Sequence, residues 1–278
     1  MVARPPSPTG VDAINEPPCV QHHIDHLYSI PLRALYSRNV GNLFFAGRNI
    51  SATHVAFAST RVMATCAVMG QAVGTTAAVL RAAPGSIAAQ ADSETVRRIQ
   101  QALLRDDAFL PGLARADPLD LAQQASVRAS SENPASPAHN IANGTSQSID
   151  AAWGPWAETG KNYWESLELP SWVEWTWDRP QEIGGIDLSF CTGLHRELTL
   201  SPSDTLTERI IRGPQPETIR DYDLILDGKT LVEVRGNYLR QRIHRFPSNT
   251  RGKSLRLAIL ATNGLPVARL FDARIHLP

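Results

Sequence analysis

The chain has 278 residues, of which 42% are hydrophobic and 19% charged, and its formal net charge is zero. That is enough apolar material for a sizeable core, and at about 100–200 residues per domain it argues for two units. A neutral chain without a basic run lacks the electrostatic footprint for nucleic acid or an anionic membrane surface, so neither is expected as a partner.

Three cysteines, Cys19, Cys66 and Cys191, are widely spaced and odd in number. They read as free thiols rather than a disulfide framework or a zinc site. Met1 to Gly10 carries proline and arginine but no apolar run, so no secretory signal is expected, and the default location is cytoplasmic. Residues 1–30 are rich in proline and histidine. His22, His23 and His26 with Asp25 lack the spacing of a helical metal motif, and no metal is expected there.

Leu43-Phe44-Phe45-Ala46 is a short apolar run after the turn-like Asn39-Val40-Gly41-Asn42, which predicts a buried strand ended by Gly47. A loop is expected to about Ser59, a possible helix cap. From there Val62, Cys66, Met69, Val73, Ala77 and Leu80 fall on one helical face, and Pro84-Gly85 ends the helix. Thr65, Gln71, Thr75 and Thr76 interrupt the small-apolar stretch Met63 to Leu80, so no membrane span is expected, although Gly70 and Gly74 match the G-x-x-x-G spacing. Ser93 to Leu104 predicts a second helix, capped by Ser93, with Val96, Ile99, Leu103 and Leu104 as its stripe. Residues 105–125, broken by Pro111-Gly112 and Asp117-Pro118, read as a linker.

The composition then changes. All six tryptophans lie between Trp153 and Trp177, and the first lysine is Lys161. From Ser126 the period falls from 3.6 to 2. Val173, Trp175 and Trp177 alternate with polar residues and are expected in a core. Ile186, Leu188 and Phe190 do likewise, as do Tyr222, Leu224 and Leu226, which lead into the hairpin signal Asp227-Gly228 and then Val232 and Val234. Strands are also expected through Leu255, Leu257, Ile259 and Ala261 and through Ala273, Ile275 and Leu277. Short alternating strands separated by turn residues predict an all-β sandwich.

Four linked blocks carry a family resemblance. They are Tyr28 to Tyr36, Asn42-Leu-Phe-Phe-Ala-Gly-Arg-Asn-Ile-Ser-Ala-Thr-His54, Ser59-Thr-Arg-Val-Met63, and Gly70-Gln71-Ala72 with Gly74. Together they resemble the end of the FAD-dependent oxidoreductases with the glutathione-reductase-like flavoprotein fold. The resemblance implies a partial FAD-binding α/β segment (strand, loop, helix) whose helix amino end faces the flavin. It places Gly47, Arg48, Asn49, Ser59, Arg61, Val62 and Met63 in cofactor-contacting positions, and His54 beside the isoalloxazine as a candidate catalytic proton donor or acceptor. The chemistry implied is flavin-mediated hydride or electron transfer on an unknown small-molecule substrate.

No two glycines in the chain are two residues apart, so no G-x-G-x-x-G pyrophosphate loop exists in it. The expectation is therefore a C-terminal portion, inactive as an isolated chain. It would comprise a remnant of a substrate domain (1–30), the C-terminal part of an FAD-binding domain (31–85), and a helix and linker (86–125), followed by the sandwich (126–278).

Residues 126–278 resemble the discoidin, or coagulation factor 5/8 C-terminal, jelly roll of the galactose-binding-like class. The resemblance rests on Ala129-Ser-Ser131, Ala138 to Gly144, Tyr163-Trp164, Trp172 to Trp177 with Ile183 to Leu188, Tyr222 to Leu226, Ser254 to Ala258 and Ala273 to His276. The stretch Glu197 to Glu217 departs from the pattern. The resemblance implies a possible glycan partner, with Trp153, Trp156 and Trp164 as stacking candidates against core packing as the alternative. Asp150 and Asn143 are weak candidates for calcium ligands. The competing reading of the whole chain is a carbohydrate- or partner-binding sandwich with a relic flavoprotein segment.

Overall fold

The structure is a computed structural model that describes residues 2–3, 21–22, 28–81, 85–147, 162–194, 196 and 202–278. The chain divides into two compact units, Met1–Gly112 and Leu113–Pro278.

In the first unit, β1 (Val2–Ala3) pairs antiparallel with β2 (Gln21–His22). The strand expected at 43–46 is reduced to one isolated bridge between Tyr36 and Phe44, with Phe45 N–H donating to Leu35 C=O at 2.8 Å. Leu43 is exposed rather than buried. A strand is buried by neighbours, and among the described residues the stretch around Leu35 to Ser37 is its single partner.

The loop expected up to Ser59 instead holds a helix, α1 (His54–Thr60). Thr53 caps it by accepting from Ala56 N–H at 3.3 Å. Ser59 lies inside α1 and caps nothing. Helix α2 (Met63–Leu80) follows after Arg61 and Val62, and Val62 breaks the helical path with an extended backbone, ψ 140°. Its inner face carries Met69, Thr76 and Leu80, with Cys66, Ala72 and Val73 half-buried. Val62 and Ala77, expected inside, are exposed, and Thr76 takes the place of Ala77 by donating its hydroxyl to Ala72 C=O at 2.7 Å. Leu35, Ile50 and Met69 form the small cluster beneath.

Pro84 lies outside the described residues. Helix α3 (Ile87–Gln90) is capped by Ser86. Helix α4 (Ser93–Arg105) buries Ile99, Leu103 and Leu104, as its pattern predicts. Its cap is Asp92 rather than Ser93, with the carboxylate accepting from Thr95 N–H at 2.7 Å.

The second unit is a β-sandwich. One sheet has five strands in the order β3 (Ser126–Ala129), β5 (Ser171–Glu182), β10 (Arg251–Thr262), β7 (Ile219–Leu226), β8 (Lys229–Val234). The other has the order β4 (Trp164–Glu165), β11 (Arg269–His276), β6 (Gly185–Phe190), β9 (Gln241–Arg245). All pairings are antiparallel. Trp175, Leu257 and Tyr222 from the first sheet and Phe190, Ile186 and Ile275 from the second are among the residues of the shared core. Asp227 and Gly228 turn the β7–β8 hairpin with φ of 46° and 83°, the conformation that the Asp-Gly pair favours. A short helix, α5 (Asp204–Arg209), lies in the divergent stretch before β7.

Residues 113–125, which read as linker, are packed into this unit. Leu121 and Ala122 enter the core, and Leu121 C=O accepts from the Trp177 indole N–H at 2.9 Å. Arg115 is buried between Asp272 (2.5 Å) and Asp120 (2.9 Å). Asp120 also accepts from Ile275 N–H at 3.0 Å, and Arg274 pairs with Asp117.

Candidate functional sites

In the first unit, Arg61, Val62 and Met63 lie at the elbow between α1 and α2, and the Gly47 turn faces it through Cys66. Gly47 has φ +103°, a conformation that costs a side-chain-bearing residue. A methyl group there would meet nothing nearer than Cys66 Sγ at 3.9 Å, with Asn49 Oδ1 at 4.0 Å. The tight turn thus opens toward the first turn of α2. Cys66 in turn ties that helix to α1, with Sγ 3.9 Å from Thr60 C=O.

Arg61, Val62 and Met63 form the elbow itself and are exposed, Met63 at 88%. Arg48 and Asn49 are exposed as well, whereas Ser59 is half-buried in α1. Helix α2 begins without a capping side chain and without an acidic residue in its first turn. Its amino end therefore presents uncompensated N–H groups and a partial positive charge. His54 is exposed at the opposite end of α1 from the elbow. By length and composition alone, α2 is apolar enough to cross a membrane, and 17% of it is buried.

In the second unit, the loops 213–218, 235–240 and 263–268 fasten to one another. Asn237 is the hub. Its side-chain amide donates to Ile219 C=O (2.7 Å) and Leu239 C=O (3.2 Å), and its backbone C=O accepts from Asn263 Nδ2 (3.0 Å). Gly236 adopts φ +71° beside it, with its N–H on Asp221 at 2.9 Å. The result is a fixed loop that holds Tyr238 63% exposed, with Leu239 beside it. Below the loop, Tyr222 OH and His244 Nε2 meet at 2.8 Å within the sandwich. Burial pushes the tyrosine up to about 12, and it holds His244 below its ordinary range, helped by the charge of Arg242.

Of the stacking residues proposed from sequence, Trp164 does not serve. Trp164 is fully buried, and its indole N–H donates to Ser131 C=O at 3.0 Å. Trp153, Trp156 and Asp150 lie outside the described residues, as do His23, His26, Asp25 and the side chain of His22. Asn143 spends its amide on Asn162 (2.6 Å) and its carbonyl on Thr145 N–H (2.9 Å). Sequence reasoning missed Tyr238, Asn237 and Arg242. The signal available was the Gly-Asn-Tyr turn between two strands, but β9 itself was not recognised.

Residues 7–103 match the family model described as FAD dependent oxidoreductase, a range that holds every candidate cofactor and catalytic residue. No curated protein matches the chain. Among solved structures, the chain is similar to the family 32 carbohydrate-binding module from Streptococcus pneumoniae EndoD. The identity is 16%, the TM-score 0.42, and the match covers 57% of this chain and 99% of that one. It is also similar to the family 32 module from C. perfringens NanJ, solved in complex with galactose, at 14% identity and TM-score 0.39, covering 56% and 97%. A Streptococcus pneumoniae fucose binding module matches at 10% identity and TM-score 0.40, covering 57% and 98%. What defines the second unit as a sandwich is its own pair of antiparallel sheets around one core.

Proposed function

We propose that the chain is the flavin-closing portion of an FAD-dependent oxidoreductase, joined to a β-sandwich binding module. The observation that carries this reading is the Gly47 turn opening onto the uncapped amino end of α2, inside the range that matches the oxidoreductase family. The residues present fit the isoalloxazine end of FAD. Gly47 allows close backbone approach, Arg48, Asn49 and Arg61 offer donors, and the α2 amino end favours negative charge on the ring. They do not fit the pyrophosphate end, because no glycine loop of the required spacing exists in the chain. The cofactor, when held, supplies the hydride or electron chemistry. The chain's own residues bind and orient it, and exposed His54 is the candidate to exchange a proton near it. The family match runs through α2 and favours a cofactor-side helix over a bilayer span.

The test is spectroscopic. The purified chain is mixed with FAD and gel-filtered. Retained absorption near ~450 nm supports the reading, and its loss in Gly47→Val ties the signal to the turn. A protein that leaves the column colourless at every FAD concentration refutes flavin binding by this chain.

A second reading is favoured by Tyr238, an exposed aromatic ring on a loop whose backbone is fastened through Asn237. Such a ring is suited to stacking on a sugar, and the sandwich then acts as a glycan-binding module. Titration of neutral oligosaccharides into the wild-type chain and Tyr238→Ala tests it. Binding that the substitution abolishes is expected. Binding that it leaves unchanged rules out this loop as the platform.

A further inference from the structure

We propose that the 235–240 loop and the start of β9 receive the carboxylate of an acidic saccharide, with Arg242 as counter-charge and Tyr238 as the surface for the sugar ring. The inference rests on the glycan-binding reading of the sandwich and adds the chemical class of the ligand.

Many arginines of this unit have a partner for their charge. Arg196 pairs with Glu217, Arg220 with Asp221 (2.9 Å), Arg235 with Asp223 (2.7 Å), Arg245 with Asp187 (2.8 Å) and Arg269 with Glu165 (2.5 Å). Arg240 donates to the carbonyls of Phe190 (3.0 Å) and Ser146 (2.8 Å). Arg128, Arg179, Arg209, Arg212 and Arg251 face no carboxylate among the described residues but are exposed, so Arg242 is set apart by being half-buried without one. Among the described residues it faces no carboxylate, and its polar contact is a long one, 3.4 Å to Asn237 Oδ1. It is half-buried, so its charge is partly stripped of water without an anion to replace it.

The position gives this unpaired charge its meaning. β8 and β9 are edge strands of their respective sheets, joined by the 235–240 loop. Arg242 alternates with the outward-facing Gln241 and Ile243, and so lies on the same side of β9 as buried His244. Its charge is felt by both Tyr222 and His244. The guanidinium therefore lies against the loop that Asn237 fastens, 3.4 Å from Asn237 Oδ1. Tyr238, the next residue of that loop, is exposed to solvent. A planar guanidinium accepts a carboxylate through two parallel hydrogen bonds, and a tyrosine ring takes the apolar face of a pyranose. A sugar acid offers both groups on one ring.

The test uses the full chain and isothermal titration with oligogalacturonate, a neutral galactose oligomer of the same length, and polyglutamate. The acidic saccharide is expected to bind at least about tenfold more tightly than the neutral one. Arg242→Gln should erase that preference, Arg242→Lys should keep part of it, and Arg245→Gln should leave it intact. Circular dichroism of each variant reports whether the sandwich is folded. Equal binding of the two saccharides, a preference that survives Arg242→Gln, or polyglutamate binding as tightly as oligogalacturonate overturns the proposal. Neutral binding that Tyr238→Ala abolishes, without an acidic preference, sinks the ligand class and keeps the module. Absence of binding to either saccharide sinks both.

Discussion

The second unit buries Trp175, Tyr222, Phe190 and a continuous set of aliphatic residues between two sheets, whereas the first relies on Leu35, Ile50 and Met69 and on the stripe of α4, and leaves a flank of α2 bare. In the second unit the loss of one contact is shared among many neighbours and a paired backbone. In the first, each buried side chain is a large fraction of what holds the helices together. The lesson is that burial, not helix or strand content, sets how much damage each unit tolerates.

The comparison breaks most sharply at the charged part of the sandwich. Asp272→Ala leaves Arg115 buried with one carboxylate in place of two. It should lower the stability of the second unit by about 3–5 kcal/mol, read from denaturant unfolding. Next come two matched truncations. Leu257→Ala and Met69→Ala each remove about 3 kcal/mol, but the first should shift the sandwich transition and leave it cooperative. The second should abolish the transition of the helical unit without moving the other. Two coincident transitions that respond together to both changes would show that the units are not independent.

Gly47→Ala should be milder, about 1 kcal/mol, because the cost is backbone strain at φ +103° with room for the methyl group. The smallest effect is that of pH on the Tyr222–His244 pair. A histidine held below its ordinary value of 6.5 binds its proton less readily in the folded state than in the unfolded one. Its contribution is therefore complete above pH 6.5 and is lost as pH falls below it. Thermal melts of the sandwich should decline from that point downward, and less so in His244→Gln.

Much of this architecture was legible in advance. The alternation through Val173, Trp175 and Trp177 points to β5, and Asp227-Gly228 points to the β7–β8 hairpin, because a two-residue period and a positive-φ turn are written locally. Strand β9 was not legible. In Gln241-Arg-Ile-His-Arg245 the apolar Ile243 faces solvent while His244 and Arg242 face inward, which inverts the pattern by which strands are recognised. The helix at 54–60 was hidden for a similar reason, since its cap, Thr53, stands ahead of a short run with no apolar stripe. The flavin-side residues were nominated by family likeness and the elbow brings several of them together, yet Cys66, which faces Gly47, was read only as a free thiol. Tyr238 and Arg242 carry no local sequence signal, because what sets them apart is exposure and the want of a carboxylate neighbour, both products of the tertiary fold.

The way residues 113–125 are laid into the sandwich bears on where the module can be excised. A fragment begun at residue 126 would leave the Trp177 indole without its acceptor and deprive Asp272 of its guanidinium. It would also uncover the patch that Leu121 and Ala122 seal. It would be expected to precipitate, and the failure would be misread as intrinsic instability. Cutting ahead of Leu113 keeps that whole set in one piece.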